Sequence, residues 1–267
     1  MTGRAILVVD DEDVITQAVV RVCGAEGTPV DVADSAAAAI VRLEKNVYRL
    51  ILCDVMMADV DGFQFLADLQ RRRIRTPVIM STGMSTMENA VKALSSGAID
   101  FIPKPFTADE LLTAVTRGLR YARLQDAAVA ASATAHPATL AWVSCPAKYF
   151  RLGYATWVVQ EDAGTVLVGV SDLFLKVIES IQAVTLGAVG DEVVLGSSCA
   201  TITAVDGLEH AVLAPVGGKI VEVNENLADA PSMMERDPYF EGWLYRVLPS
   251  ELEYDLQHLI SCSSDRM

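Results

Sequence analysis

The run Leu50-Ile51-Leu52-Cys53-Asp54-Val55-Met56-Met57 decides the reading of the first half of this chain. Four consecutive apolar residues end in a carboxylate. That is the pattern of a buried strand delivering an acid to its C-terminal end, the edge where open α/β sheets form their sites. The pattern recurs along the chain. Ala5-Ile6-Leu7-Val8-Val9 ends in Asp10-Asp11, Pro77-Val78-Ile79-Met80 leads to Thr82, and a run from Ile99 to Ile102 leads to Lys104. A short alternating strand, Val30-Asp31-Val32, follows the break at Thr28-Pro29.

Helical periodicity fills the intervals. Val14, Ala18 and Val22 recur at a spacing of four, and an Ala-rich helix runs to Leu43 from an N-cap at Ser35. Phe63, Phe65, Leu66 and Leu69 follow Asp61-Gly62 and end in Arg71-Arg72-Arg73. A further helix spans Met87 to Leu94 and stops at Gly97, and another, capped by Thr107, carries Leu111, Leu112, Val115 and Leu119. Five β-then-α units in about 120 residues predict a doubly wound parallel sheet, because parallel strands need crossover helices of one hand.

That topology brings Asp10, Asp11, Asp54, Thr82 and Lys104 to one edge. Singly, each has a plainer reading: acids at a helix N-terminus, a strand-end Thr, a surface Lys. Jointly they suit phosphorylation of a carboxylate, where positioning and charge neutralisation dominate. Asp10, Asp11 and Asp54 supply hard oxygen ligands of the kind Mg²⁺ takes. Lys104 offers a point charge to a phosphoryl oxygen and Thr82 a hydroxyl. Asp54 is the expected phosphoacceptor.

After Leu119 an apolar 3-4-3 seam (Leu112, Val115, Leu119, Ala122) gives way to a mostly Ala stretch from Gln125 to Ala135, ended by His136-Pro137. Two readings stand: a packed helix followed by a flexible linker, or a protruding helix that couples two domains or forms a homodimer seam.

Beyond Pro137 short β-rich runs alternate with glycine turns. They include Trp157-Val158-Val159, Thr165 to Val170, Glu192 to Leu195, Ala200-Thr201-Ile202, His210 to Leu213 and Lys219 to Val223. This spacing predicts a compact β-sandwich or barrel, with Gly217-Gly218 as a turn. One helix intervenes from Asp172 to Ser180. A second, Glu251 to Ile260, is expected to carry Leu252, Leu256, Leu259 and Ile260 on one face. No metal cluster, nucleophile triad or Gly-rich phosphate loop is evident in this half. His136, His210 and His258 read as satisfied or solvent-facing side chains. The boundaries expected from sequence are 1–122, a linker at 123–139, and 140–262.

The whole chain has 267 residues and a formal charge of −14. Up to Gln125 there are 14 Lys/Arg against 16 Asp/Glu; the remainder has 7 against 19, so the excess of acid lies in the second half. An acidic second half offers no electrostatic footprint for nucleic acid, so no DNA partner is expected. No apolar stretch has membrane-spanning length, and Met1-Thr2-Gly3-Arg4 leaves no room for a signal peptide before the first strand. Five scattered cysteines without a CxxC pair suit reduced thiols in a cytoplasmic protein.

Several stretches of the first half carry a family resemblance. Val8-Val9-Asp10-Asp11-Glu12, Asp54-Val55-Met56-Met57, Asp61-Gly62, Pro77 to Gly83, Gly97 to Phe101 and Lys104-Pro105-Phe106 resemble the receiver domain of two-component response regulators. The resemblance implies a sheet of order 2-1-3-4-5 and phosphorylation of Asp54 by a histidine kinase or phosphotransfer protein. It further implies Mg²⁺ held by Asp11, Asp54 and the Met56 carbonyl, with Asp10 acting partly through water. By the same resemblance Lys104 is expected to contact the phosphate, the Lys104-Pro105 peptide to be cis, Thr82 to move toward the phosphate, and Phe101 to take the rotating aromatic position. Ala58 stands where the family commonly has Pro.

The second half, from about Tyr154 to Leu259, resembles the H protein of the glycine cleavage system, a lipoyl carrier with a barrel-sandwich hybrid fold. The resemblance rests on Thr156-Trp157-Val158, Gly164 to Asp172, Val189 to Val193, Ala214 to Gly218, Val221 to Asn224, Asp237-Pro238-Tyr239 and Gly242-Trp243-Leu244. The family's lipoylated Lys lies on a hairpin before the Ala-Pro pair; here Gly207, beside Asp206, holds that position. No Lys occurs between Lys176 and Lys219, so no lipoate is expected. The chain reads as a non-enzymatic phosphorelay protein whose second module contacts a protein partner. The alternative is a regulator or decoy carrier acting on glycine cleavage or another lipoyl-dependent complex.

Overall fold

The computed structural model describes residues 5–58, 60–84, 86–133 and 142–263. His136 and the last part of the expected linker, from residue 134 on, lie outside them. The chain divides into two compact units, Met1–Ala130 and Ala131–Met267.

The first unit is built on β1 (Ile6–Val9), β2 (Val30–Ala33), β3 (Leu50–Asp54), β4 (Val78–Thr82) and β5 (Asp100–Pro103). They form one parallel sheet in the order β2-β1-β3-β4-β5. Helices α1 (Asp13–Ala25), α2 (Ala36–Lys45), α3 (Gly62–Arg71), α4 (Met87–Ser95) and α5 (Ala108–Ala133) alternate with the strands. Every residue of β1, β3 and β4 is buried, which is why these segments read as unbroken apolar runs. The side-chain caps follow the sequence signals. Ser35 Oγ accepts from Ala38 N at 3.3 Å and Asp61 Oδ1 from Gln64 N at 2.7 Å. Thr107 and Glu110 form a reciprocal capping box at the start of α5.

One helix face departs from expectation. Val14 is 79% exposed, and the buried residues of α1 are Thr16, Val19 and Cys23. The expected seam at Val14, Ala18 and Val22 is rotated off the sheet. Thr16 turns inward because its hydroxyl donates to the Asp13 carbonyl at 3.0 Å, so an inward polar residue costs no unmet hydrogen bond. Helix α5 also continues without interruption to Ala133, past the point where a linker was expected.

The second unit contains two antiparallel sheets. The larger has the order β10 (Glu192–Val193), β13 (Gly218–Val223), β14 (Trp243–Pro249), β8 (Val166–Val170), β7 (Thr156–Gln160), β6 (Phe150–Leu152) and β15 (Ile260–Ser261). The smaller has the order β12 (Glu209–Leu213), β11 (Ser198–Ala204) and β9 (Ile181–Leu186). Short helices α6 (Asp172–Ile178), α7 (Asn226–Asp229), α8 (Met233–Arg236) and α9 (Leu252–Gln257) connect them. Trp157 is fully buried and donates to the Val170 carbonyl at 3.0 Å. A Cβ on Gly169 would come within 2.3 Å of the Trp157 ring, so only glycine fits that strand position. The Tyr245 hydroxyl joins the two sheets: it donates to the Cys199 carbonyl and accepts from Gly187 N, each at 2.7 Å.

The closing helix is shorter than its apolar spacing suggests. It ends at Gln257, and Ile260 pairs with Arg151 as a strand. Its buried residue is Asp255 rather than a leucine, because the Asp255 carboxylate accepts from Gly217 N at 2.8 Å. Burial pushes the Asp255 carboxyl above its usual range, and that hydrogen bond opposes the shift.

Candidate functional site

Parallel pairing puts the ends of β1, β3, β4 and β5 side by side. Val9 registers with Cys53, Asp54 with Ser81, and Thr82 with Pro103. Asp10, Asp54 and Lys104 therefore converge without any long loop having to fold over them. Lys104 Nζ lies 2.8 Å from Asp10 Oδ2, 3.0 Å from Glu12 Oε1 and 3.1 Å from Asp54 Oδ2. The Lys104, Asp10 and Asp54 side chains are all nearly inaccessible, whereas Glu12 is exposed.

Several backbone contacts hold the cluster. Asp10 Oδ1 accepts from Glu12 N at 3.0 Å, and Lys104 N donates to the Thr82 carbonyl at 2.8 Å. The peptide between Lys104 and Pro105 is cis. Val55 N donates to the Ser81 carbonyl at 2.8 Å, and Gly62 N to the Val55 carbonyl at 2.9 Å. A Cβ on Gly62 would sit 2.3 Å from the Asp54 carbonyl oxygen, so α3 starts against the backbone of Asp54 itself.

The electrostatics favour a further cation. Three carboxylates surround one ammonium, which leaves local negative charge in a partly dry site. Burial raises the Asp10 pKa, against the lowering effect of Lys104. Burial acts to lower the Lys104 pKa, but its hydrogen bonds to Asp10 and Glu12 outweigh it and hold the ammonium protonated. Behind Asp54, burial first and then the neighbouring carboxylate charges push the Cys53 thiol well above its usual pKa. That thiol donates to the Asp54 carbonyl at 3.2 Å.

Asp54 Oδ1 is buried and has no hydrogen-bond partner among the described residues. Asp10, Glu12 and Asp54 each offer a carboxylate oxygen within 4.8 Å of the others. A hard-oxygen donor set of this kind with an unmet buried oxygen fits a Mg²⁺-class cation.

The expected residues are distributed as follows. Asp10, Asp54 and Lys104 meet directly. Asp11 stands at the rim, exposed, with Oδ2 accepting from Ala58 N at 3.2 Å. That bond ties the loop after β3 to the end of β1. Met56 has an exposed side chain on the same loop. Thr82 is fully buried, and its hydroxyl accepts from Met84 N at 3.2 Å. Phe101 is half-buried against the core formed by residues such as Phe65 and Met80. Reasoning by strand ends missed Glu12, which lies three residues past the end of β1; its signal was a third consecutive acid.

In the second unit, Gly207 stands at the exposed tip of the β11–β12 hairpin with φ +83°. Its N–H donates to the Ala204 carbonyl at 2.9 Å, and Asp206 Oδ1 accepts from Leu208 N at 3.1 Å. His210 is buried and meets Phe174 edge-on, while His258 Nδ1 lies 2.9 Å from the Tyr254 carbonyl. No helix among the described residues is long and apolar enough to cross a membrane.

Comparison with known proteins separates the halves in the same way. The family model of the response regulator receiver domain matches residues 6–116, and that of the glycine cleavage H-protein matches residues 148–265. The transcriptional regulatory protein TcrA of Mycobacterium tuberculosis is 36% identical over 42% of this chain and 44% of its own length. This chain thus spans less than half of that relative. A probable glycine cleavage system H protein of Thermococcus kodakarensis is 39% identical over 40% of this chain and 79% of its own length. The solved receiver domain of the Francisella response regulator 1452 is 32% identical, covers 44% of this chain and 98% of its own, and has a TM-score of 0.42. The chain thus contains a response regulator receiver domain over residues 6–116, and through residues 148–265 it belongs to the glycine cleavage H-protein family.

Proposed function

We propose that this protein is a phosphorelay response regulator in which Asp54 accepts a phosphoryl group from a histidine kinase or phosphotransfer protein. The observation that carries the reading is the buried, unpartnered Asp54 Oδ1 beside Lys104. An Asp54 oxygen attacks phosphorus, the bond to the donor breaks, and its electron pair leaves with the donor, giving an acyl phosphate. Lys104 holds a phosphoryl oxygen by charge, and the Thr82 hydroxyl gives up Met84 N to donate to another. Asp10, Asp11, Asp54 and the Met56 carbonyl would hold a Mg²⁺ ion, with Glu12 as an added donor. When bound, that ion neutralises charge between the carboxylates and the phosphoryl oxygens. Phe101 repacks as Thr82 moves, which carries the signal to the face of α4, β5 and α5.

The H-protein-like module, at about 140–262 beyond a connector at 123–139, then acts as a non-lipoylated, non-catalytic protein contact. The absence of lysine at the β11–β12 tip, where Gly207 stands, supports this reading. Two relatives are named as transcriptional regulators; for this chain a DNA output is not proposed, because its second half is acidic. The similarity to whole H proteins favours a second reading, in which the module competes for an enzyme that recognises that fold.

Incubation with acetyl phosphate and Mg²⁺ is expected to add one phosphoryl group by intact mass, lost in Asp54→Ala. Retained phosphorylation in that variant rejects the site. Expression in a lipoylation-competent host is expected to add no lipoyl mass; an increment of that size rejects the non-carrier reading.

A further inference from the structure

The edge of the first unit's sheet opposite Asp54 carries a second feature. The N-terminal ends of β3 and β4, the end of α3 and the overhanging part of α5 enclose a cavity of about 650 Å³. Its floor is apolar, with Leu69, Ile74 and Pro77 prominent. Gln125 and Val129 of α5 form one wall, so the continuation of that helix past the sheet creates the enclosure.

Two arginines line this cavity, Arg49 half-buried and Arg75 exposed at its mouth. Arg49 precedes β3 and Arg75 precedes β4, so parallel pairing brings both to the same edge. Among the described residues neither has an ion-pair or side-chain hydrogen-bond partner. Gln70 is already committed, its amide donating to the Ser96 carbonyl at 2.7 Å. Asp126 is the one carboxylate on the lining. It lies on the helical wall, whereas the arginines precede the strands.

We propose that this cavity binds a small organic anion. Arg49 and Arg75 take its carboxylate-type head, and the apolar floor takes an aromatic or branched aliphatic body. Size and chemistry agree: small-molecule sites are concave, mostly apolar and of a few hundred Å³, with few polar groups fixing orientation. Guanidiniums without partners are suited to bidentate capture of a planar anion. Such a ligand would span from the strand ends to Gln125 and Val129, and so pin the α5 overhang to the sheet. It is an input separate from Asp54 and does not depend on that residue's chemistry.

The probe is 8-anilinonaphthalene-1-sulfonate, an amphipathic anion, titrated into the full chain and followed by fluorescence and amide NMR shifts. Its neutral counterpart N-phenyl-1-naphthylamine reports the apolar floor alone. One molecule of the sulfonate is expected to bind, with shifts centred on Arg49, Thr76 and Gln125. The Arg49→Gln/Arg75→Gln double variant should lose at least about tenfold in sulfonate affinity, the size of one lost charge-assisted contact, and bind the neutral probe unchanged. Val129→Trp, at an exposed wall position, should weaken both probes. Equal sulfonate binding by the double variant, shifts elsewhere in the chain, or no binding because a second copy or the chain's own second unit covers the cavity would each overturn the proposal.

Discussion

Each unit sets a cation between carboxylates that join different strands, and the two arrangements differ in burial. In the first, Lys104 lies between Asp10, Glu12 and Asp54 with its side chain 7% exposed. In the second, Arg246 of β14 bridges Glu222 on β13 and Glu161 just past β7, with its side chain 31% exposed. Arg246 is bidentate to Glu161, with Nε at 2.7 Å and Nη2 at 3.1 Å. The exposed cluster stays near water and registers strands. The buried one bears a desolvation cost that packing alone would not justify, and it keeps a carboxylate oxygen without a partner. Similar residue types make a strand clamp in one place and a buried, incompletely satisfied cluster in the other.

The sharpest way to break that contrast is Lys104→Met. It strips the counter-charge from two buried carboxylates, and about 3–5 kcal/mol of stability should be lost in denaturant unfolding. A loss no larger than that of Arg246→Met would refute the distinction. Gly62→Ala comes next. Its Cβ would collide with the Asp54 carbonyl, which should cost about 1–3 kcal/mol and slow phosphorylation by acetyl phosphate through displacement of α3. Arg246→Met should cost only about 0–1 kcal/mol, because its cluster is solvent-screened.

The smallest effects are in pH dependence, and they have opposite signs. Hydrogen bonding to Arg246 holds Glu161 below its ordinary value of 4.5. Its contribution is present above that value and lost as pH falls through the depressed pKa. Burial holds Asp10 above its ordinary value of 3.8. Protonated Asp10 contributes stability below 3.8, and that is lost as pH rises through the raised pKa. Unfolding midpoints of Glu161→Gln and Asp10→Asn across the acid range should therefore diverge from the parent in opposite directions. At neutral pH, Asp10→Asn should be the more stable protein and the poorer phosphoacceptor. Parallel profiles would remove the contrast.

Much of the first unit is legible in its sequence because buried parallel strands write themselves as unbroken apolar runs. Leu50 to Cys53 and Ile6 to Val9 leave little choice of period or face, and the polar residue that ends each run marks the sheet edge. The caps at Ser35, Asp61 and Thr107 are equally local. Half-buried helices are harder. The phase of α1 turns on whether Val14 or Thr16 faces inward, and periodicity counts a threonine as polar. The end of α9 is hidden from periodicity for a related reason. Leucines at helical spacing suggest a long helix, but the partner that decides is Gly217, 38 residues away.

By itself the sequence determined the order of elements in the first half, the strand-end acids, the lysine and threonine beside them, and the want of a lysine near Gly207. Those are properties of residue type and local spacing. In the second half it left β6, β9, β14 and β15 unread. Only the tertiary structure decided that Glu12 joins Lys104, that Asp11 turns to Ala58, and that Arg49 and Arg75 share one cavity. Each depends on segments brought together by sheet register over long separations, and side-chain direction at that range is set by packing and charge rather than by neighbours along the chain.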